Sequence, residues 1–213
     1  MKGYRCIIFD SDGVLVDSET FSAKVFQEMA GELGIELEFD AALEQFAGSS
    51  MKKNLQFIQE KLPGSVPEDF EEEFRKRTYE IFKSDLKALP GVAELIRKLQ
   101  VPFCVASSGP PEKIRLNLGL VELLDHFENR IFSSYDIGTW KPDPGIFIHA
   151  AKEMGFAPGE CVVIEDSDAG IRAALAGGFM VYALAGEQRR EHFEQLGAVT
   201  FKNMKELEQL LGL

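Results

Sequence analysis

Two carboxylates one residue apart, Asp10 and Asp12, close the first apolar run of the chain, Cys6-Ile7-Ile8-Phe9, and Gly13 follows them. Alternation along an extended strand puts side chains i and i+2 on one side, so both carboxylates can converge on one point. Like charges that close repel unless a cation or a shared proton holds them. A solvated acidic turn is the competing reading of this pair taken alone. A second acidic cluster, Glu165-Asp166-Ser167-Asp168, follows the apolar run Val162-Val163-Ile164. Ser167 or Asp168 could cap a following helix, but capping does not account for Glu165 and Asp166. Four carboxylates from two strand ends make a hard-oxygen site suited to Mg²⁺.

Two further stretches carry complementary groups. Ser107-Ser108-Gly109 follows the apolar run Val101–Ala106. It reads either as an anion site at a helix start or as ordinary N-capping. Lys141 lies in Trp140-Lys141-Pro142-Asp143-Pro144, where the prolines stiffen the loop that presents its ammonium.

The elements that must position these groups follow from periodicity. A short apolar run bounded by turn signals is a buried strand of a parallel sheet, and open parallel sheets bind ligands at the carboxyl ends of their strands. From Glu19 to Leu86 the pattern is helical: Phe21, Val25, Met29 and Leu33 recur on one face, and Gly34 ends that helix. Asp40 is the expected N-cap of a helix over 41–47. Helices over 51–62 and 67–84 follow. From Leu89 onward helix and strand alternate, with strands over 101–106, 130–133, 161–164 and 180–183. Helices fall over 90–99, 112–118, 143–154, 169–176, 188–196 and 204–211. The layout predicts a doubly wound α/β core carrying a helical second domain.

Together the four stretches, FDSDGVLVDSE, VASSG, WKPDPGIF and VVIEDSDAGIRAA, resemble the haloacid dehalogenase-like (HAD) superfamily. The insertion after the first motif looks like the helical cap of subfamily I, in the branch with phosphoglycolate phosphatase, β-phosphoglucomutase and 6-phosphogluconate phosphatase. The resemblance implies a Rossmann-like parallel-sheet core over 1–17 and 87–213, with an all-helical cap domain over 18–86.

It also implies a Mg²⁺-dependent phosphomonoesterase that passes through an aspartyl-phosphate. On that reading Asp10 is the nucleophile and Asp12 the general acid, then base. Asp10, Asp166 and the backbone carbonyl of Asp12 hold the metal, with Glu165 either a ligand or a group that orients one. Ser107, Lys141 and the backbone N–H groups of Ser11, Asp12 and Ser108 hold the phosphoryl oxygens. Asp17 and Ser18 mark a hinge. Ser49, Ser50, Lys52 and Arg75, with Lys53 and Arg77, are cap residues that could read the leaving group, although cap cations also read as solvated helix charges. Trp140 could wall the site or anchor its loop.

β-Phosphoglucomutase uses the same core, but it has a histidine where this chain has Ser22 and a cap-loop arginine where this chain has Met51. A dehalogenase would need neither Asp12, Glu165 nor Asp166. A phosphorylatable signalling module would lack the helical insertion.

Composition sets the remaining bounds. The chain has 213 residues, 45% of them apolar, and a net charge of −12. That charge argues against nucleic acid or an anionic membrane as partner and leaves a small phosphorylated metabolite. Cys6, Cys104 and Cys161 sit in or beside apolar runs without disulfide spacing, so free buried thiols in a reducing compartment are expected. No signal peptide or spanning stretch is evident, and a cytoplasmic protein is expected. His126, His149 and His192 show no ligand spacing. An interface patch is not separable from the core in one sequence, so the oligomeric state is left open, a monomer included.

Overall fold

The computed structural model describes residues 3–46 and 51–213, so Ser49 and Ser50 lie outside the described residues. β1 (Cys6–Phe9) is buried throughout. Four helices follow: α1 (Ser18–Glu32), α2 (Phe39–Phe46), α3 (Met51–Lys61) and α4 (Phe70–Asp85). The alternating part then runs α5 (Val92–Lys98), β2 (Phe103–Ser107), α6 (Pro111–Leu120), α7 (Leu124–Phe127), β3 (Ile131–Ser133), α8 (Ser134–Ile137), α9 (Gly145–Glu153) and β4 (Cys161–Glu165). It closes with α10 (Asp168–Ala176), β5 (Met180–Leu184), α11 (Glu187–Leu196), β6 (Val199–Phe201) and α12 (Met204–Leu211).

Among the described residues the strands form one six-stranded sheet, ordered β3-β2-β1-β4-β5-β6, with every neighbouring pair parallel. The strand order reverses between β1 and β4. There the connections leave toward opposite edges, and their carboxyl ends open a crevice. Alternation divides the buried residues between two faces. Cys6 and Ile8 join Cys104, Val163, Phe147 of α9 and Ile171 of α10 in one core. On the other face Phe9, Phe103 and Phe127 meet edge to face. The fold is the expected Rossmann-like, doubly wound α/β arrangement with a helical insertion.

The chain divides into two compact units, Met1–Val16 with Ala88–Leu213, and Asp17–Lys87. The second has its own core, in which Val25, Phe26 and Met29 of α1 pack with Ile58 of α3 and with Phe70 and Phe74 of α4. No helix among the described residues is long and apolar enough to cross a membrane.

Several boundaries differ from the sequence reading. α4 begins at Phe70 instead of Pro67, because residues 67–70 form a turn closed by the Phe70 N–H on the Pro67 carbonyl at 3.1 Å. Asp40 lies inside the first turn of α2 rather than capping it. There its charge still opposes the positive end of the helix. α9 begins at Gly145, after Asp143 accepts from the Gly145 N–H at 2.8 Å. The spacing predicts no strand over 199–201, where β6 lies. Thr200 interrupts its apolar residues, and the strand is defined by its pairing with β5.

Candidate active site

Asp10 follows the last residue of β1, yet its N–H still donates to the Ile164 carbonyl at 2.9 Å. The ladder with β4 therefore carries Asp10 to the crevice beside Glu165. Asp10, Glu165 and Asp166 are all buried, and each offers a carboxylate oxygen within 4.8 Å of the others. The structure brings together three of the four carboxylates expected there. The Asp12 carboxylate stands outside this group and turns toward α6. There Lys113 Nζ donates to Oδ2 at 2.8 Å and Asn117 Nδ2 reaches Oδ1 at 3.4 Å.

Lys141 is the counter-ion of the cluster. Its Nζ lies 2.5 Å from Asp10 Oδ1 and 2.6 Å from Glu165 Oε1, with the side chain only 6% exposed. The Phe147 ring floors it at 4.8 Å, a cation–π contact in a desolvated place. Burial alone would push the ammonium below the ordinary lysine range; the charges of Asp10 and Glu165 reverse this and hold it above that range. Burial pushes the Asp10 carboxyl up to about 7, with Lys141 opposing the shift and Glu165 adding to it. Three carboxylates against one ammonium leave an acidic site short of positive charge.

Glu165 is fully committed to protein donors. Its Oε2 accepts the backbone N–H groups of Asp166 and Ser167, both at 2.8 Å, and the Ser167 hydroxyl at 3.0 Å. Ser167 in turn caps α10 by accepting the Gly170 N–H at 3.1 Å. A Cβ on Gly170 would collide with the Glu165 carboxylate, and one on Gly13, where φ is +78°, would collide with that of Asp166. Both glycines keep open the space that the two carboxylates occupy. Buried oxygen donors, net negative charge and this cradle fit a hard divalent cation such as Mg²⁺.

The Ser107 side chain is buried and accepts the Gly109 N–H at 3.1 Å. Its hydroxyl proton stays available to an anion. Neither Ser107 nor Ser108 caps α6, whose N-cap is Pro110, so the plain capping explanation of this motif fails. The Ser11 hydroxyl is buried without a partner among the described residues.

Trp140 is 46% exposed and packs edge to face on Tyr135. In the helical unit Arg75 pairs with Glu71, and Arg77 with Glu73 and Glu32. Lys52 opens α3. His192 pairs with Asp168 on the surface, and the three cysteines are free and buried.

A family model described as haloacid dehalogenase-like hydrolase matches residues 4–178. The chain belongs to the haloacid dehalogenase-like hydrolases. It is thus an enzyme, and all four sequence motifs lie within the matched residues. Among relatives, it is 29% identical over 211 residues to 6-phosphogluconate phosphatase of Escherichia coli, covering 99% of this chain and 96% of that one. A conserved haloacid dehalogenase-like protein of unknown function from Agrobacterium tumefaciens superposes with a TM-score of 0.90 at 30% identity, covering 99% and 98%. A HAD family hydrolase from Deinococcus radiodurans, with bound phosphate and sodium, gives 0.85 at 28% identity, covering 100% and 96%.

Sequence reasoning missed Lys113 and Asn117. The signal was their i, i+4 spacing on the helix that follows the Ser107 strand end, which puts both on one face.

Proposed function

We propose that this hydrolase is a Mg²⁺-dependent phosphomonoesterase acting on a small phosphorylated metabolite, a sugar phosphate or related organic-acid phosphate, through an aspartyl-phosphate. The observation that carries this reading is the buried group of Asp10, Glu165 and Asp166 around Lys141, set where the strand order reverses. The named activity of the Escherichia coli relative and the phosphate in the Deinococcus structure support it. The unit over 1–16 and 88–213 acts as the catalytic core, and the helical unit over 17–87 as its cap. The reducing cytoplasm suits three buried free thiols.

Asp10 and Asp166, with the backbone carbonyl of Asp12, would hold the ion, and Glu165 orients the set through Lys141. When bound, Mg²⁺ supplies the positive charge that lets an anionic nucleophile and an anionic phosphate share the site. One Asp10 carboxylate oxygen attacks phosphorus, and the bond from phosphorus to the ester oxygen breaks. Asp12 gives its proton to the departing oxygen. Water then attacks the phosphoryl group and passes a proton to Asp12; the bond from phosphorus to Asp10 breaks and phosphate leaves. Ser107, Lys141 and the backbone N–H groups of Ser11, Asp12 and Ser108 hold the phosphoryl oxygens as charge builds on them.

The test is phosphate release from a panel of phosphorylated metabolites, with Mg²⁺ and with a chelator. The panel includes 6-phosphogluconate, phosphoglycolate, hexose phosphates and β-glucose-1-phosphate. Metal-dependent release that disappears in Asp10→Asn, together with a phospho-enzyme trapped in the wild type, is expected. Conversion of β-glucose-1-phosphate to glucose-6-phosphate without net release would replace phosphatase by mutase.

A further inference from the structure

We infer that Lys113 and Asn117 form a clasp on α6 that positions the Asp12 carboxylate for proton transfer; the inference rests on the reading of Asp12 as general acid and base. The clasp reaches both oxygens of one carboxylate. Lys113 Nζ is 2.8 Å from Oδ2, and Asn117 Nδ2 is 3.4 Å from Oδ1. The two donors are four residues apart in a helix that begins four residues after Ser107. One turn of α6 therefore serves one side chain.

Asn117 is the telling residue. It is fully buried, and its Oδ1 has no partner among the described residues. A leucine there would pack without leaving a polar atom unpaired, so packing does not explain the amide. Its Nδ2 points to Asp12 instead.

The direction of the pull matters as well. Asp10, Glu165 and Asp166 already share one buried space, and a fourth carboxylate swinging into it would compete for the same cation. Lys141 is occupied by Asp10 and Glu165, so α6 provides a second ammonium for Asp12. Lys113 and Asp12 keep 22% and 25% of their side chains exposed, so the held carboxylate remains open to a departing group and to water. A side chain fixed at both oxygens holds one rotamer, and an acid must present its proton within hydrogen-bond reach of the leaving oxygen. Lys113 and Asn117 are positioning residues: they act through Asp12.

Leaving-group dependence separates such a clasp from a structural strut. A nitrophenolate departs without a proton, whereas an alkoxide needs one. Lys113→Met, Asn117→Leu, Lys113→Arg and Asp12→Asn are compared on p-nitrophenyl phosphate and on the best alkyl phosphate of the panel. The readouts are the pre-steady-state burst of nitrophenolate, kcat and KM on the alkyl ester, and the thermal midpoint. Lys113→Met and Asn117→Leu should lower alkyl-ester kcat by about 10- to 100-fold with KM nearly unchanged. Their burst rate on the aryl ester should stay within about twofold of wild type, and Lys113→Arg should recover most of the alkyl activity. If Asp12→Asn shows the selective loss but both clasp variants match wild type, or lose both substrates equally, the clasp is overturned and the acid role stands. If Asp12→Asn itself shows no selectivity, the acid role fails and takes the clasp with it.

Discussion

The ammonium of Lys141 lies 2.6 Å from Glu165 Oε1 and 2.5 Å from Asp10 Oδ1, so one buried cation joins the ends of two adjacent strands. The other Glu165 oxygen is held by its own strand-end backbone and by Ser167. Glu165 thus fixes Lys141 against β4, and Lys141 fixes the Asp10 carboxylate. The carboxylate proposed as nucleophile is thus oriented before any substrate arrives.

Removing Lys141 should therefore cost stability as well as activity. Lys141→Met leaves two carboxylates buried without their counter-ion, a change that typically destabilises by about 3–5 kcal/mol. Urea unfolding of the metal-free protein at pH 8 reads the loss. It should shrink at pH 5, where Asp10 can take up a proton; a loss of equal size at both pH values would contradict the assigned charge balance.

The pH dependence of the metal-free protein has a definite sign. Burial raises Asp10 to about 7, above the ordinary aspartate value of about 4 in an unfolded chain. Between those two values the folded protein holds a proton that the unfolded chain has released. The corresponding stabilisation is complete below about pH 4 and is lost as pH rises toward about 7. Asp10→Asn should flatten this slope and raise the metal-free thermal midpoint at pH 8. An ion held by Asp10, as proposed, would compete with that proton, so added MgCl₂ should raise the wild-type midpoint more at pH 8 than at pH 5. Equal shifts at both would rule Asp10 out as a ligand.

The two glycines around the acidic cluster separate packing from chemistry. Gly170→Ala drives a methyl group into the Glu165 carboxylate, and Gly13→Ala does the same to Asp166 while also straining a backbone at φ +78°. The backbone term alone is about 1–2 kcal/mol at Gly13. Both variants should lose most activity, and Gly13→Ala should also weaken Mg²⁺ binding measured by calorimetry. Unchanged Mg²⁺ affinity in Gly13→Ala would remove Asp166 from the metal site.

A control far from the chemistry comes from Tyr4, whose hydroxyl donates to the Leu211 carbonyl at 2.7 Å. Burial, with a smaller contribution from Tyr182, pushes it up to about 12. Its neutral form stabilises the fold fully below about pH 10, and that contribution disappears as pH climbs to about 12. The stability gap between wild type and Tyr4→Phe, about 1 kcal/mol for one lost hydrogen bond, should close across that window. A gap that persisted at pH 12 would contradict the raised value.

Most of the fold was legible because apolar runs and helical spacing report burial directly. Cys161–Glu165 and Met204–Leu211 have patterns that only one element satisfies. β6 was not legible, since Thr200 interrupts the apolar pair Val199 and Phe201 and the strand is defined by its pairing with β5. The start of α4 was not legible either, because Pro67 suits a turn as well as a helix start.

The site divides in the same way. Each carboxylate proposed to function, the Ser107 hydroxyl and the Lys141 ammonium stand at strand ends or in the stiff loop after α8, so local pattern and motif order nominated them. The burial of Lys141 between two carboxylates and the swing of Asp12 toward Lys113 and Asn117 depend on side chains 24 to 131 positions apart in the chain. Sequence determined which groups reach the sheet edge, because strand alternation and turn chemistry are local. Tertiary structure decided which charges share a low-dielectric space, because that depends on parallel pairing of β1 with β4 and on where α6 comes to rest.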